Sequence, residues 1–335
     1  MTKLFIIPFF LRMEGCRQRC IYCRQEAAQE EIVTSATQIA TLLKESLAYK
    51  PAGKTCEAAF FGGSFTALPI ERRKELYSVT RPYLDSGEID YLRVSTRPDL
   101  IDEKIVEELV SNGVKIVELG IQSLDENVLE LARRDHDSKC PYTSTKLLQE
   151  AGIQTGWQLM QGLPGSSRQS DLDSLKRTLN AGPDFLRLFP TVVLDETPLA
   201  DMWRKEEYKP LELEDAVERL AEMMELCDEN GMTVIRLGLH PSPSLRKIVL
   251  AGPFHPAMRH KVESLRRLKR LEDLLAKNKI SGKRSPTFKI KSGSQSLWRG
   301  LNNSNTKDIC ERFNLENVSF EESPDIGTLD IKIKI

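Results

Sequence analysis

The chain has 335 residues, 40% hydrophobic and 29% charged, with a formal net charge of −1. This is ordinary globular composition, enough for one large or two ordinary domains of ~150 residues, and its charge balance gives no reason to expect nucleic-acid binding by the chain as a whole. No apolar run approaches the ~18 residues of a membrane span, and residues 4–11 are too short and too near a polar cysteine loop for a signal peptide, so a cytoplasmic protein with no membrane partner is expected.

In chain order, the first expected strand covers residues 4–10. It leads into Gly15-Cys-Arg-Gln-Arg-Cys-Ile-Tyr-Cys23, which places Cys16, Cys20 and Cys23 at Cys-x3-Cys-x2-Cys spacing. Iron–sulfur clusters take cysteine thiolates, four in a fully ligated cubane. Three on one loop leave one iron open to hold a small molecule. On spacing alone two other readings stay open: a zinc site completed by a distant histidine (His136, His240, His255 or His260), and three unligated cysteines. The remaining cysteines, Cys56, Cys140, Cys227 and Cys310, form no second Cys-x-x-Cys pair. An odd total of seven without a secretory signal argues against a disulfide framework. Cys227 falls on the apolar face of a helix and is expected to pack as a small hydrophobe.

Beyond the loop, helical and extended patterns alternate. Strands are expected at 57–61, 91–95, 114–121, 154–160 and 185–191. Helices are expected at 35–47, 70–83, 102–112, 124–132 with 143–151, and 171–180, then at 212–229 before the stop Asn230-Gly231. Six strand–helix units in a row imply parallel strands with right-handed crossovers. An open doubly wound sheet and a partial (β/α) barrel both fit, and in either the chemistry belongs at the carboxyl ends of the strands, where the cysteine loop stands. After Leu239 the prolines 241, 243, 253 and 256 break the pattern. The expected division is a core of residues 1–240 and a small α+β extension of 241–335. The extension holds a basic helix at 258–277 and edge-strand patterns at 318–320 and 329–335.

Three further segments sit at expected strand ends. Phe60-Phe-Gly-Gly-Ser-Phe-Thr66 has paired glycines that let backbone approach a ligand, and a tight strand-to-helix turn explains them equally well. Ser95-Thr-Arg-Pro-Asp99 offers hydroxyls and a guanidinium to a carboxylate or ribose, or else a helix cap at Asp99 or Asp102. In Glu118-Leu-Gly-Ile-Gln-Ser123, Glu118 lies inside a strand expected to be buried and needs a partner, either a ligand's amino group or Arg97.

These residues together carry a resemblance. The cysteine spacing with Tyr22 before the last cysteine is similar to the radical S-adenosylmethionine (SAM) superfamily. Phe61-Gly-Gly-Ser-Phe-Thr66, Ser95-Thr-Arg-Pro-Asp99, Val117-Glu-Leu-Gly-Ile-Gln-Ser-Leu124, Arg133-Arg-Asp-His136 and Gln158-Leu-Met-Gln-Gly-Leu-Pro-Gly165 resemble the radical domain of the Elongator catalytic subunit. So do Phe189-Pro-Thr-Val-Val-Leu194, Thr197-Pro-Leu199 and Gly252-Pro-Phe-His-Pro256. The resemblance implies an α/β fold, a partial (β/α)6 barrel. It implies a [4Fe–4S] cluster on Cys16, Cys20 and Cys23, with SAM on the open iron. Gly62, Gly63 and Ser64 match the segment that meets the methionine amino end, and Ser95, Arg97, Glu118, Gln122 and Gln161 are the further expected SAM contacts. The implied chemistry is reductive cleavage of SAM to a 5′-deoxyadenosyl radical that abstracts a hydrogen atom, with the barrel positioning substrate. Acetyl transfer is not expected, because ~75–95 residues after the core are too few for the acetyltransferase domain and no acetyl-CoA motif is found.

Arg12, Arg17, Arg19 and Arg24 give the cysteine loop a basic rim suited to an anionic substrate or an acidic, low-potential electron donor of flavodoxin or ferredoxin type. Between residues 259 and 299 thirteen Lys or Arg stand against Glu263, Glu272 and Asp273. With Phe288 and Trp298 nearby, this segment is an expected RNA footprint, consistent with a family that modifies transfer RNA. Two alternatives remain at this point: a radical SAM enzyme on a small molecule, similar to the porphyrin-type oxidases, and a non-catalytic iron–sulfur RNA-binding protein.

Overall fold

The computed structural model describes residues 4–11, 14–16, 19–24, 33 and 35–334. Arg12 and Arg17 of the expected basic rim, and Ile335 of the last expected strand, lie outside these. The chain forms two compact units, Met1–Glu212 with Leu226–Phe254, and Leu213–Glu225 with His255–Ile335.

In the first unit, β1 (Phe5–Phe10), β2 (Cys56–Phe61), β3 (Tyr91–Thr96), β4 (Val114–Gln122), β5 (Gln154–Gln161) and β6 (Phe185–Pro190) pair in chain order, all parallel. The crossovers carry α1 (Ala36–Leu47), α2 (Ile70–Asp85), α3 (Glu103–Ser111), α4 (Glu126–Leu131), α5 (Cys140–Glu150) and α6 (Arg168–Ala181). Polar caps start most of them. Ser35 forms a capping box with Gln38, Asp102 and Asp125 accept from the amides of Ile105 and Val128, and Ser167 accepts from Ser170. After β6, β7 (Val193–Leu194) leaves the sheet and pairs antiparallel with β9 (Val249–Ala251), while β8 (Val234–Leu237) adds a seventh parallel strand beside β6. β8 is not among the six strands expected from sequence. Its four residues, interrupted by Arg236, are too few for period-two alternation to stand out. The sheet is open, with β1 and β8 at its two edges.

The two faces of this sheet differ in chemistry. One packs on the helices through Ala58, Phe60, Leu92, Val94, Val117, Leu119 and Trp157, all buried, and Trp157 donates from its indole N–H to Thr145 of α5 at 2.7 Å. The other face carries Glu57, Phe61, Arg93, Glu118 and Arg187. A fully parallel sheet is normally apolar on both sides, so these charges mark the face turned to the barrel interior. Pro8 lies in β1 where it costs no ladder bond. The amides of Phe5 and Leu11 point toward the segment leading into and through β2, so by alternation the missing N–H of Pro8 faces the free edge.

Three helices follow α6 in the chain: α7 (Pro198–Arg204), α8 (Leu213–Glu229) and α9 (Pro243–Ile248). In the second unit, α10 (Met258–Lys277) lays Leu268, Leu271 and Leu275 on a core with Phe288, Ile290, Trp298, Ile309 and Phe320. A mixed three-stranded sheet completes it: β10 (Thr287–Lys291) in the middle, parallel to β11 (Ser319–Ser323) and antiparallel to β12 (Lys332–Lys334), with α11 (Gln295–Arg299) and α12 (Ser304–Arg312) between β10 and β11. This corrects the aromatic part of the expected RNA footprint. Phe288 and Trp298 are both fully buried and present no ring to a base. Arg266 and Arg267 are also buried, the first paired with Glu225 and Glu263, the second with Glu263 and stacked over Trp298; Arg270 pairs with Glu225. The basic segment is in part a charged seam inside the unit rather than a solvated stripe. Among the described residues no helix is long and apolar enough to cross a membrane.

Candidate functional site

The cysteine loop leaves the carboxyl end of β1 and is clamped against the end of β2. Leu11 N–H donates to Phe61 at 2.7 Å, and Ser64 N–H donates to the Glu14 carbonyl at 3.0 Å. The backbones touch so closely that a Cβ at Gly62 would lie 2.4 Å from the Leu11 oxygen, one at Gly63 2.2 Å from the Glu14 oxygen, and one at Gly15 2.2 Å from the Ser64 oxygen. The glycine pair therefore has a structural cause in this chain: it admits the cysteine loop. Cys16 Sγ stands 3.4 Å from Ser64 Oγ, and Cys23 N–H closes a turn onto the Cys20 carbonyl at 3.1 Å. Farther along, Ile21 is buried against Val193, Leu199, Ala200 and Tyr208, and its backbone is tied to Ala132 after α4 and to Leu199 in α7 (Pro198–Arg204). Tyr22 packs on Val128, Ala132 and Leu163. Burial first, then the neighbouring Cys20, holds its phenol well above the usual range.

All three cysteines are free thiols, each half-buried. Among the described residues no three Cys, His, Asp or Glu converge on one point, as a single ion would require. A cubane asks for something different, one thiolate per iron. The surroundings fit such an anionic group. Arg134 donates to Cys20 Sγ at 3.1 Å and to the Gly120 carbonyl, and touches His136. Burial works against its charge, but its neighbours, with Cys20 in hydrogen-bond contact, hold its pKa above the usual value. A cation that cannot shed its proton is costly inside a protein unless an anion faces it, and cluster thiolates supply one.

The structure brings most of the expected cofactor contacts to this same end of the sheet. Ser95 is in the last turn of β3, Gln122 ends β4 and Gln161 ends β5. Gln122 adopts a left-handed backbone (φ 75°) at a register shift in β4, and its side chain folds over Gly120 and accepts from Gln158 at 3.1 Å. A strained, bulged strand end of this kind is common at binding sites. The Gln161 carbonyl accepts from both the amide and the hydroxyl of Thr191. Arg97 follows β3 with its guanidinium on Asp99 and, at 2.6 Å, on Asp135. A ligand carboxylate reaching Arg97 has to compete with both.

Glu118 sits four residues deeper, and its partner is not Arg97. Arg93 donates to it at 2.8 Å and Arg187 at 2.7 Å, while Arg93 also holds Glu57 at 2.9 Å. The correction is geometric: Arg97 lies beyond the end of β3, whereas Arg93 shares a face with Glu118 and stands diagonally across from it, opposite Ile116. Glu57 is fully buried, and burial raises its pKa despite Arg93. The Nε atoms of Arg93 and Arg187 are buried without a hydrogen-bond partner among the described residues. Of the basic rim, Arg19 is exposed, and Arg24 is tied to the Asp195 carbonyl at 3.0 Å and to Glu196.

Arg134, Arg93 and Arg187 are the residues that sequence reasoning missed. Arg134 stood inside a quoted motif. The other two had a readable signal: charges of alternating sign within neighbouring buried strands must meet one another.

The geometry defines a class first: an open α/β barrel with a three-cysteine loop at the carboxyl end of its first strand. The radical SAM superfamily model matches residues 10–177, half of the chain, and the radical SAM C-terminal domain model matches residues 183–270. The chain belongs to the radical SAM superfamily. It is accordingly an enzyme of a family whose cofactors are a [4Fe–4S] cluster and SAM, and whose members need a reductant. A tRNA uridine(34) acetyltransferase of Methanocaldococcus infernus is 35% identical over 130 residues, covering 38% of this chain and 24% of that one. An uncharacterised protein of Methanocaldococcus jannaschii is 27% identical over 237 residues, 67% of this chain and 72% of its own length. In fold, the chain is similar to the archaeal Methanocaldococcus infernus Elp3 with an N-terminal deletion, at a TM-score of 0.60 and 19% identity over 85% of this chain and 66% of that one. The matched stretches span only 24% to 50% of the length of three such acetyltransferases, so no activity of those whole proteins follows from the match.

Proposed function

We propose that this chain uses Cys16, Cys20 and Cys23 to hold the cluster, binds SAM across the strand ends, and directs the resulting radical at an RNA substrate of the transfer-RNA kind. When bound and reduced, the cluster supplies the electron that cleaves SAM to methionine and a 5′-deoxyadenosyl radical. The observation that carries the reading is the clamp between the cysteine loop and the Gly62-Gly63-Ser64 turn, with half-buried Arg134 on Cys20. The chain's own residues then divide the work. Gly62, Gly63 and Ser64 would offer backbone to the methionine end of SAM, and Ser95, Gln122 and Gln161 would offer polar groups along the adjoining strand ends. Arg97 contributes charge beside them. Glu118 acts from below as the hub that fixes Arg93 and Arg187, rather than by direct contact. RNA as substrate is supported by the relatives named as tRNA uridine(34) acetyltransferases. A flavodoxin- or ferredoxin-type protein is the fitting reductant, and Arg19 is an exposed positive charge on the rim of the loop.

Anaerobic reconstitution of the full chain with iron, sulfide, SAM and dithionite tests this reading. We expect 5′-deoxyadenosine from the wild type and, in Cys20→Ala, loss of both cluster absorbance and product. Retained cluster and turnover in that variant would refute the ligand assignment. Cross-linking the reconstituted protein to cellular RNA, followed by sequencing of the adducts, tests the substrate class; absence of adducts above background counts against it.

A further inference from the structure

The small sheet of the second unit has one face in the core, through Phe288, Ile290 and Phe320, and one face in solvent. The solvent face carries Lys289 and Lys291 of β10, Lys332 and Lys334 of β12, and a single carboxylate, Glu321 of β11. Contacts confirm that these residues share a face: Thr287 Oγ1 meets Ser319 Oγ at 2.7 Å, and Lys334 Nζ reaches across β10 to Glu321. Four ammonium groups thus face one acid. Lys334 first, then Lys289, holds the Glu321 carboxyl below its usual range, so that carboxylate is already shared. The register sets Lys289 directly opposite Lys332. Like charges in that position destabilise a ladder, and among the described residues no acidic side chain pairs with Lys332. Lys334 has Glu321, and Lys291 Nζ donates to Thr328 Oγ1 at 2.8 Å, but the fold gains nothing from setting Lys289 against Lys332, and a bound polyanion would offset that repulsion.

We propose that the lysine face of β10 and β12 is a docking surface for an RNA phosphodiester backbone. The proposal rests on the RNA substrate class of the proposed function and gives it a location. It is independent of the seam on α10, whose Arg266 and Arg267 are buried. No aromatic ring of the core reaches this face, since Phe288 and Trp298 are enclosed, so the contact expected is to phosphates and is indifferent to sequence. Four lysines imply a slope of about −3 in log K against log salt concentration.

The test uses the full chain, a fluorescent transfer-RNA transcript and, separately, vesicles of anionic phospholipid. Wild type should bind the transcript with that slope. Lys332→Glu should weaken binding at least tenfold and flatten the slope by about one or more. The same change replaces the repulsion with an opposite-charge cross-strand pair to Lys289, so its Tm should equal or exceed that of the wild type, which separates lost binding from lost folding. Lys289→Gln, which removes the repulsion from the other side, should weaken binding in the same sense. Unchanged affinity and slope in both variants would overturn the surface while leaving the RNA substrate class standing. No transcript binding by the wild type at low salt would overturn both. A loss confined to the vesicles would make this a membrane-facing surface and overturn the proposal.

Discussion

Glu118 is a carboxylate held inside a buried strand by two arginines, Arg93 and Arg187. A glutamate within a buried strand demands a partner, and that demand was legible. The identity of the partner was not, because it depends on which long side chains on the same face reach diagonally across the strands. Arg93 of β3 and Arg187 of β6 do, so the carboxylate is the centre of a four-residue network with Glu57. Glu118→Ala should therefore cost about 3–5 kcal/mol, toward the lower end because Arg93 keeps Glu57. Urea denaturation measures it; near-wild-type stability combined with lost SAM affinity would instead make Glu118 a cofactor contact. His136 gives a second prediction at this scale. It is buried beside Arg134, and burial followed by that charge pushes its pKa down to about 4. The unfolded value is about 6.5, so the unfolded chain takes up the proton first as pH falls. Stability present above about pH 6.5 should be lost progressively toward pH 4, at no more than ~1.4 kcal/mol per pH unit. Denaturation midpoints at pH 7 and pH 5 should differ more in the wild type than in His136→Gln; equal differences would show that this histidine is not responsible.

Among elements, the strand–helix alternation was almost wholly readable, because long amphipathic helices with polar caps and short apolar strands announce themselves by period. The missing pieces are short. β8, β7 and β9 have two to four residues each, and β10 hides within a run of lysines whose alternation with Phe288 and Ile290 is visible only once its neighbours are known. The glycine turn after β2 was identified without its cause. Gly63 has no left-handed φ to excuse it, and what it lacks is room, with the Glu14 carbonyl 2.2 Å from a would-be Cβ. Gly63→Ala should displace the cysteine loop and lower the iron bound per chain severalfold after reconstitution, with far-ultraviolet circular dichroism unchanged. Full iron loading would show that the clamp tolerates a methyl group.

Across the whole molecule, parallel topology and site placement followed from the order of the elements, but the role of the basic segment did not. Charge counting could not tell a solvated lysine from an arginine closed over a tryptophan. Trp298 is a structural anchor of the second unit, and Trp298→Ala should destabilise that unit by about 3–5 kcal/mol while leaving cluster absorbance per chain intact; calorimetry and iron analysis together would check it. One modest residue bears on how copies of the molecule treat one another. An open sheet offers its outer strand as a template for a strand from a second chain, and β1, with Ile6 exposed, is such an invitation. Pro8 stands in the middle of that edge with no amide hydrogen to give. A strand arriving there finds its central carbonyl unanswered, which makes the middle of this edge a poor template for a second copy of the chain.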